Sequence, residues 1–139
     1  VKAGCKIGES VCLNHRVKVY GNAVIIGDYT WISSGSIILS SYNNSESIII
    51  GKNCDIGPEV LLVTGTHEIG DQVRRAGKGL CLPIIIGEGT WIGARATILG
   101  GVTIGKGSII AAGSVVLPGL YPDNCFLAGI PAVIKKHFE

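Results

Sequence analysis

Aliphatic residues return every six positions through the second half of this chain, at Ile86, Ile92, Ile98, Ile104, Ile110 and Val116. About a third of all residues are Ile, Leu or Val, so six successive hits from a chosen start have a chance on the order of one in a thousand. A second register agrees. Two positions earlier in each hexad stand Thr90, Ala96, Val102, Ser108 and Ser114, and glycine follows the aliphatic residue at Gly87, Gly93 and Gly105. The same phase runs through Ile50, Ile56 and Leu62, before that through Ile26, Ile32 and Ile38, and starts weakly at Ile7, Leu13 and Val19. Between Val19 and Ile26 the count slips by one residue, which Gly21 and Asn22 can absorb as a bulge or tight turn.

A period of six is neither the 3.6 of a helix nor the two of an ordinary strand. It suits a triangular prism in which each hexad forms one side, the aliphatic residue points inward and a small residue sits near the corner. Three hexads close a coil, and coils stack at the strand spacing of about 4.8 Å. Glycine at the corners is expected to supply positive φ. The pattern therefore predicts an all-β solenoid whose apolar columns are buried only between neighbouring coils. A meander or sandwich of short strands would instead show turn signals every 8 to 12 residues or so.

The 139 residues fit a single domain, 1–139. With 21 Gly, no Met and few aromatics, the composition favours strands and tight turns. A net charge of +2 from scattered Lys and Arg gives no nucleic-acid footprint and no polybasic membrane anchor. The longest apolar runs fall far short of the roughly 20 residues that span a bilayer, so no membrane insertion is expected. Five cysteines without a CxxC pair make a poor disulfide framework, and with no signal-peptide pattern at the start they point to the reducing cytoplasm.

Two interruptions break the hexads in multiples of six. The first is the polar stretch Ser40-Ser41-Tyr42-Asn43-Asn44-Ser45; the second is an excursion between Leu62 and Ile86, with a loop at 68–83. Long excursions from a rigid scaffold are where function concentrates. His67 stands where the second one leaves the coil, and an imidazole with an ordinary pKa of about 6.5 suits a general base at neutral pH. On position alone that role is weakly supported, and a surface or capping histidine is the simpler reading. His15 and His137 lie on no comparable feature. Ser33, Asn43 and Glu68 are acceptor-site candidates by location.

The run Pro83-Ile84-Ile85-Ile86-Gly87-Glu88-Gly89-Thr90-Trp91-Ile92-Gly93-Ala94, continuing through Ala112-Gly113-Ser114 to the tail Ala128-Gly129-Ile130-Pro131-Ala132, resembles the hexapeptide-repeat acyltransferases, specifically the galactoside, maltose and polysaccharide O-acetyltransferase group. The resemblance implies a left-handed parallel β-helix with a short C-terminal tail (119–139), a homotrimer, and acetyl-coenzyme A bound in a groove between neighbouring prisms. It implies no metal. It makes His67 the catalytic base, places the Ala94 N–H at the thioester carbonyl and the Ala112 backbone along the pantetheine arm, and allows Trp91 to pack beside that arm. A Thr-Lys pair that often meets the cofactor's nucleotide end is replaced here by Leu117-Pro118, which leaves Lys135 and Lys136 as candidate phosphate partners. A Glu that orients the base in some members falls at Lys78, and the family's N-terminal helical segment has no counterpart in this sequence.

The function expected is transfer of an acetyl group to a hydroxyl of a sugar or surface-polysaccharide precursor. N-acetylation of an amino sugar and a non-catalytic scaffold are the alternatives. A metal-dependent hydratase on this scaffold would need three His ligands per metal, and the three histidines here are widely spaced.

Overall fold

The computed structural model describes residues 4–42 and 48–139. Asn43, and with it the Asn43-Asn44-Ser45 part of the first interruption, lies outside the described residues. Every regular element among the described residues is a strand, and no helix is long and apolar enough to cross a membrane. Three parallel sheets form the sides of a prism. Sheet A holds Lys6–Ile7, Val24–Ile26, Ile48–Ile50, Ile84–Ile86, Val102–Ile104 and Gly119–Tyr121. Sheet B holds Cys12–Leu13, Trp31–Ile32, Asp55–Ile56, Trp91–Ile92, Ile109–Ile110 and Cys125–Gly129, with Ala132–His137 returning antiparallel. Sheet C holds Lys18–Tyr20, Ile37–Leu39, Leu61–Val63, Thr97–Leu99 and Val115–Val116. The chain visits the sheets in the order A, B, C, coil after coil, as a left-handed parallel β-helix.

The hexad phase is the core. Ile26, Ile50, Ile86 and Ile104 pair directly across sheet A, and Ile38, Leu62, Ile98 and Val116 across sheet C. Each is at most 1% exposed, so each contributes about 1.5–3 kcal/mol by leaving water. The two interruptions preserve this register because they add whole hexads at one corner. Ile7 is 39% exposed, since the first coil has a neighbour on one side only.

From Val24 onward the position two before each inward aliphatic residue is buried too, and where it is Ser or Thr it has a second use. The hydroxyls of Thr30, Ser36 and Ser108 lie inside the prism, where Ser36 Oγ donates to Gly57 O at 2.9 Å and accepts from Val60 N at 3.2 Å. Thr30 and Ser108 repeat this link to Gly51 O and Cys54 N, and to Pro122 O and Cys125 N. Buried hydroxyls are thus satisfied by the backbone of the adjacent coil.

Glycine after the aliphatic residue serves a different end from the one expected. Gly57, Gly87 and Gly93 do not adopt positive φ; that conformation falls two residues later, at Glu59, Gly89 and Arg95. A Cβ on Gly57 would lie 2.7 Å from Ala94 N, and one on Gly87 would lie 2.6 Å from Gly105 C. Close approach of stacked backbones, rather than turn geometry, excludes a side chain there.

The coil does not stop after Val116. Gly119–Tyr121 pairs with Val102–Ile104 and Cys125–Gly129 with Ile109–Ile110, so within 119–139 only the segment after Gly129 leaves the helix. It folds back along sheet B, with Cys125 Sγ 3.4 Å from His137 Nδ1.

Candidate active site

The excursion after the third coil is an antiparallel hairpin, Gly65–Ile69 against Ala76–Cys81, rather than an irregular loop. It springs from the corner between sheets C and A, where Leu82 N donates to Thr64 O at 3.0 Å. Thr66 faces Leu80 and His67 faces Gly79, after which the register shifts before Ile69 pairs with Ala76. Such a bulge re-aims side chains. Gly79 offers no side chain opposite the imidazole, so the His67 ring stands clear, exposed and without a hydrogen-bond partner among the described residues. Lys78 is exposed on the facing strand.

His67 borders two cavities. One, of about 300 Å³, lies between the hairpin and the prism and is walled by Leu80, Leu82, Leu99 and Pro118 with Gly65, Thr66 and Gly100. The other, of about 390 Å³, lies on the hairpin itself and adds Gly70, Asp71, Arg74, Ala76 and Gly77. The first is largely apolar and the second carries both signs of charge. Pro118 is therefore brought beside the proposed base, while Leu117, 43% exposed, borders neither cavity. Glu68 also borders neither; it sits in the bulge.

Ala94 and Ala112 occupy the other end of sheet C, at the corner with sheet B. They stack one above the other, with Ala94 O accepting from Gly113 N at 2.8 Å. Their own amide N–H groups donate to no acceptor among the described residues, so the corner presents a short ladder of donors for an extended ligand. Ser33 lies in the column of Gly57 and Gly93 at this corner, tied by Ser33 N to Ile56 O and Gly57 N to Ile92 O. Trp91 projects from sheet B, 56% exposed, between Asp55 and Ile109 on the neighbouring coils.

Lys135 and Lys136 lie on the returning strand at the end of sheet B. The strand doubles back from the corner of Ala112 and carries them toward the A–B corner, whereas Leu117 and Pro118 lie at the C–A corner. The Lys136 ammonium stands 5.5 Å from the centre of its own Phe138 ring.

Cys54 and Cys125 are not competing nucleophiles. Cys54 and Cys125 are fully buried, and burial is the main cause that pushes both thiols above their ordinary pKa; a thiol held protonated is a poor nucleophile. Among the described residues no group of three His, Cys, Asp or Glu side chains comes together to hold a metal.

Residues 83–118 match the bacterial transferase hexapeptide family (six repeats). The galactoside O-acetyltransferase of Escherichia coli is 36% identical over 86% of this chain and 57% of its own length. A hexapeptide-repeat acetyltransferase of Vibrio cholerae, solved with acetyl-coenzyme A, superposes with a TM-score of 0.85 at 32% identity, over 99% of this chain and 72% of that one. A perosamine N-acetyltransferase of Caulobacter crescentus, solved with coenzyme A and GDP-perosamine, superposes with a TM-score of 0.71 at 27% identity, over 97% of this chain and 52% of that one. The chain spans 44 to 59% of the length of the first curated relatives it matches.

Proposed function

The chain belongs to the hexapeptide-repeat acetyltransferases, and on that premise we propose that it moves an acetyl group from acetyl-coenzyme A to a hydroxyl of a sugar or surface-polysaccharide precursor, with His67 as general base. One observation carries the reading: an unpartnered imidazole at the meeting point of an apolar and a polar cavity. His67 takes the acceptor's proton as the acceptor oxygen bonds to the acyl carbon; the carbon–sulfur bond breaks and the thiol leaves with a proton returned. Positioned proton transfer contributes about 10² to 10⁴ in rate. The Ala94 N–H faces the developing oxyanion, and Ala112 and Trp91 hold the pantetheine arm, a placement that suits the free amide ladder.

In one chain His67 and that ladder stand at opposite ends of sheet C, a span of roughly 20 Å for a hexad at about 3.3 Å per residue. A working centre therefore takes its base from one copy and its amides from another. The homotrimer of the resemblance meets this requirement. The exposed apolar outer faces, Ile25 and Ile85 on sheet A and Trp31 and Trp91 on sheet B, 38 to 56% exposed, offer surface for it to cover. Lys135 and Lys136 then reach the donor phosphates, and Ser33 with Glu68 contacts the acceptor. Five free thiols suit a reducing cytoplasm.

The Caulobacter neighbour acts on an amino sugar derivative, so amine acceptors form the second reading. Both are separated from a non-catalytic scaffold by coenzyme A release from acetyl-coenzyme A in the presence of nucleotide sugars, oligosaccharides and amino sugars. Release with a hydroxyl acceptor supports the proposal, release only with amines favours the second reading, and none at all leaves a scaffold.

A further inference from the structure

The two cavities that meet at His67 differ in character, and the difference divides the substrates between them. Leu80, Leu82, Leu99 and Pro118 give the prism-side cavity an apolar wall, which suits an uncharged part of a substrate. The hairpin-side cavity, about 390 Å³ and open to solvent, is left for the acceptor. We propose that this hairpin-side cavity selects acceptors carrying an anionic group, carboxylate or phosphate, and that Arg74 is the residue that reads it; the proposal rests on the acetyltransferase reading above.

The charges around the cavity support this. Asp71 is the one acid that lines it, and its Oδ1 accepts from Val73 N at 2.9 Å and from Arg74 N at 3.2 Å. That carboxylate is thus engaged with its own turn, and the same bonds fix the backbone that carries Arg74. Arg75 is committed differently, its Nη1 donating to Gly70 O at 3.1 Å. Arg74 lines the cavity with His67 and has no carboxylate within ion-pair distance among the described residues. Its planar fork of donors matches carboxylate and phosphate oxygens. Because the base borders the same cavity, an anion held by Arg74 lies within a sugar's reach of the reacting hydroxyl. This separates it from the donor's phosphates, which lie a full pantetheine arm away from the thioester.

The test compares glucose, glucuronic acid and glucose 1-phosphate as acceptors for the full chain with acetyl-coenzyme A, and measures direct binding of each sugar by calorimetry without the donor. Wild type should acetylate at least one of the two anionic sugars with kcat/KM tenfold or more above glucose, and whichever anion is preferred names the group. Arg74→Ala should erase that preference through the acceptor KM, and through the calorimetric affinity, while Arg74→Lys retains part of it. Equal use of all three sugars by wild type, or an anion preference that survives Arg74→Ala, overturns the proposal with the acetyltransferase reading intact. Absence of transfer to any acceptor class would instead remove that reading. Arg74 sits on an exposed turn, so folding is not at stake.

Discussion

His67 and Ala94 belong to opposite corners of one prism, the first on the hairpin that leaves the C–A corner and the second at the B–C corner, with the width of sheet C between them. If both act on one thioester, they come from different copies. A His67→Ala chain and an Ala112→Trp chain, the second obstructing the amide ladder, should each be inactive alone. Co-refolded as mixed oligomers they should regain a measurable fraction of wild-type turnover, and light scattering should give three chains per particle. An active monomer, or no recovery in mixtures of confirmed composition, would refute the shared centre.

The inward columns can be tested without any activity. Ile104 is 1% exposed and pairs with Ile86 below it and Tyr121 above. Ile104→Asp buries an unpaired carboxylate at a cost of several kcal/mol, comparable with a total stability of about 5–15 kcal/mol. The variant should be insoluble or show no cooperative thermal transition by circular dichroism, and a soluble, cooperatively melting variant would contradict the assigned phase.

The polar inner positions carry a smaller expectation. Ser36→Ala removes the donor to Gly57 O and the acceptor of Val60 N and leaves both backbone groups buried. Loss of about 1–3 kcal/mol in denaturant unfolding is expected, and an unchanged midpoint would show that the inter-coil hydroxyl links add nothing.

How much of this was readable from residues follows from what each signal depends on. The phase of Ile26 through Val116 was legible because one side chain per hexad must point inward, and a slip would expose the whole column. The role of Gly57, Gly87 and Gly93 was not, because backbone crowding between coils is a property of the stack and leaves no local sequence signature. The hairpin was hidden for a related reason: Gly65-Thr66-His67-Glu68-Ile69 is exposed, its partner strand is only half-buried, and neither carries an apolar alternation. His67 was found through resemblance. The apolar cavity it shares with Leu82, Leu99 and Pro118 joins segments distant in sequence, and only the coil brings them together.

The resemblance implies that the Leu117-Pro118 replacement of a polar and cationic pair costs a charge-assisted contact to the donor, worth about 1.5–3 kcal/mol. If Lys135 and Lys136 substitute for it from the returning strand, Lys135→Ala with Lys136→Ala should raise the KM for acetyl-coenzyme A roughly tenfold with little change in kcat, as expected when binding is lost equally in ground and transition states. The effect should shrink with a dephospho donor. An unchanged KM would assign both lysines to solvent.

The general base is the claim on which the rest depends, and His67→Ala tests it most directly. Its imidazole is exposed and makes no hydrogen bond among the described residues, so the variant should assemble and bind acetyl-coenzyme A as wild type does. Steady-state turnover should nevertheless fall by at least about 10²-fold. Retention of more than a tenth of wild-type turnover would contradict the assignment.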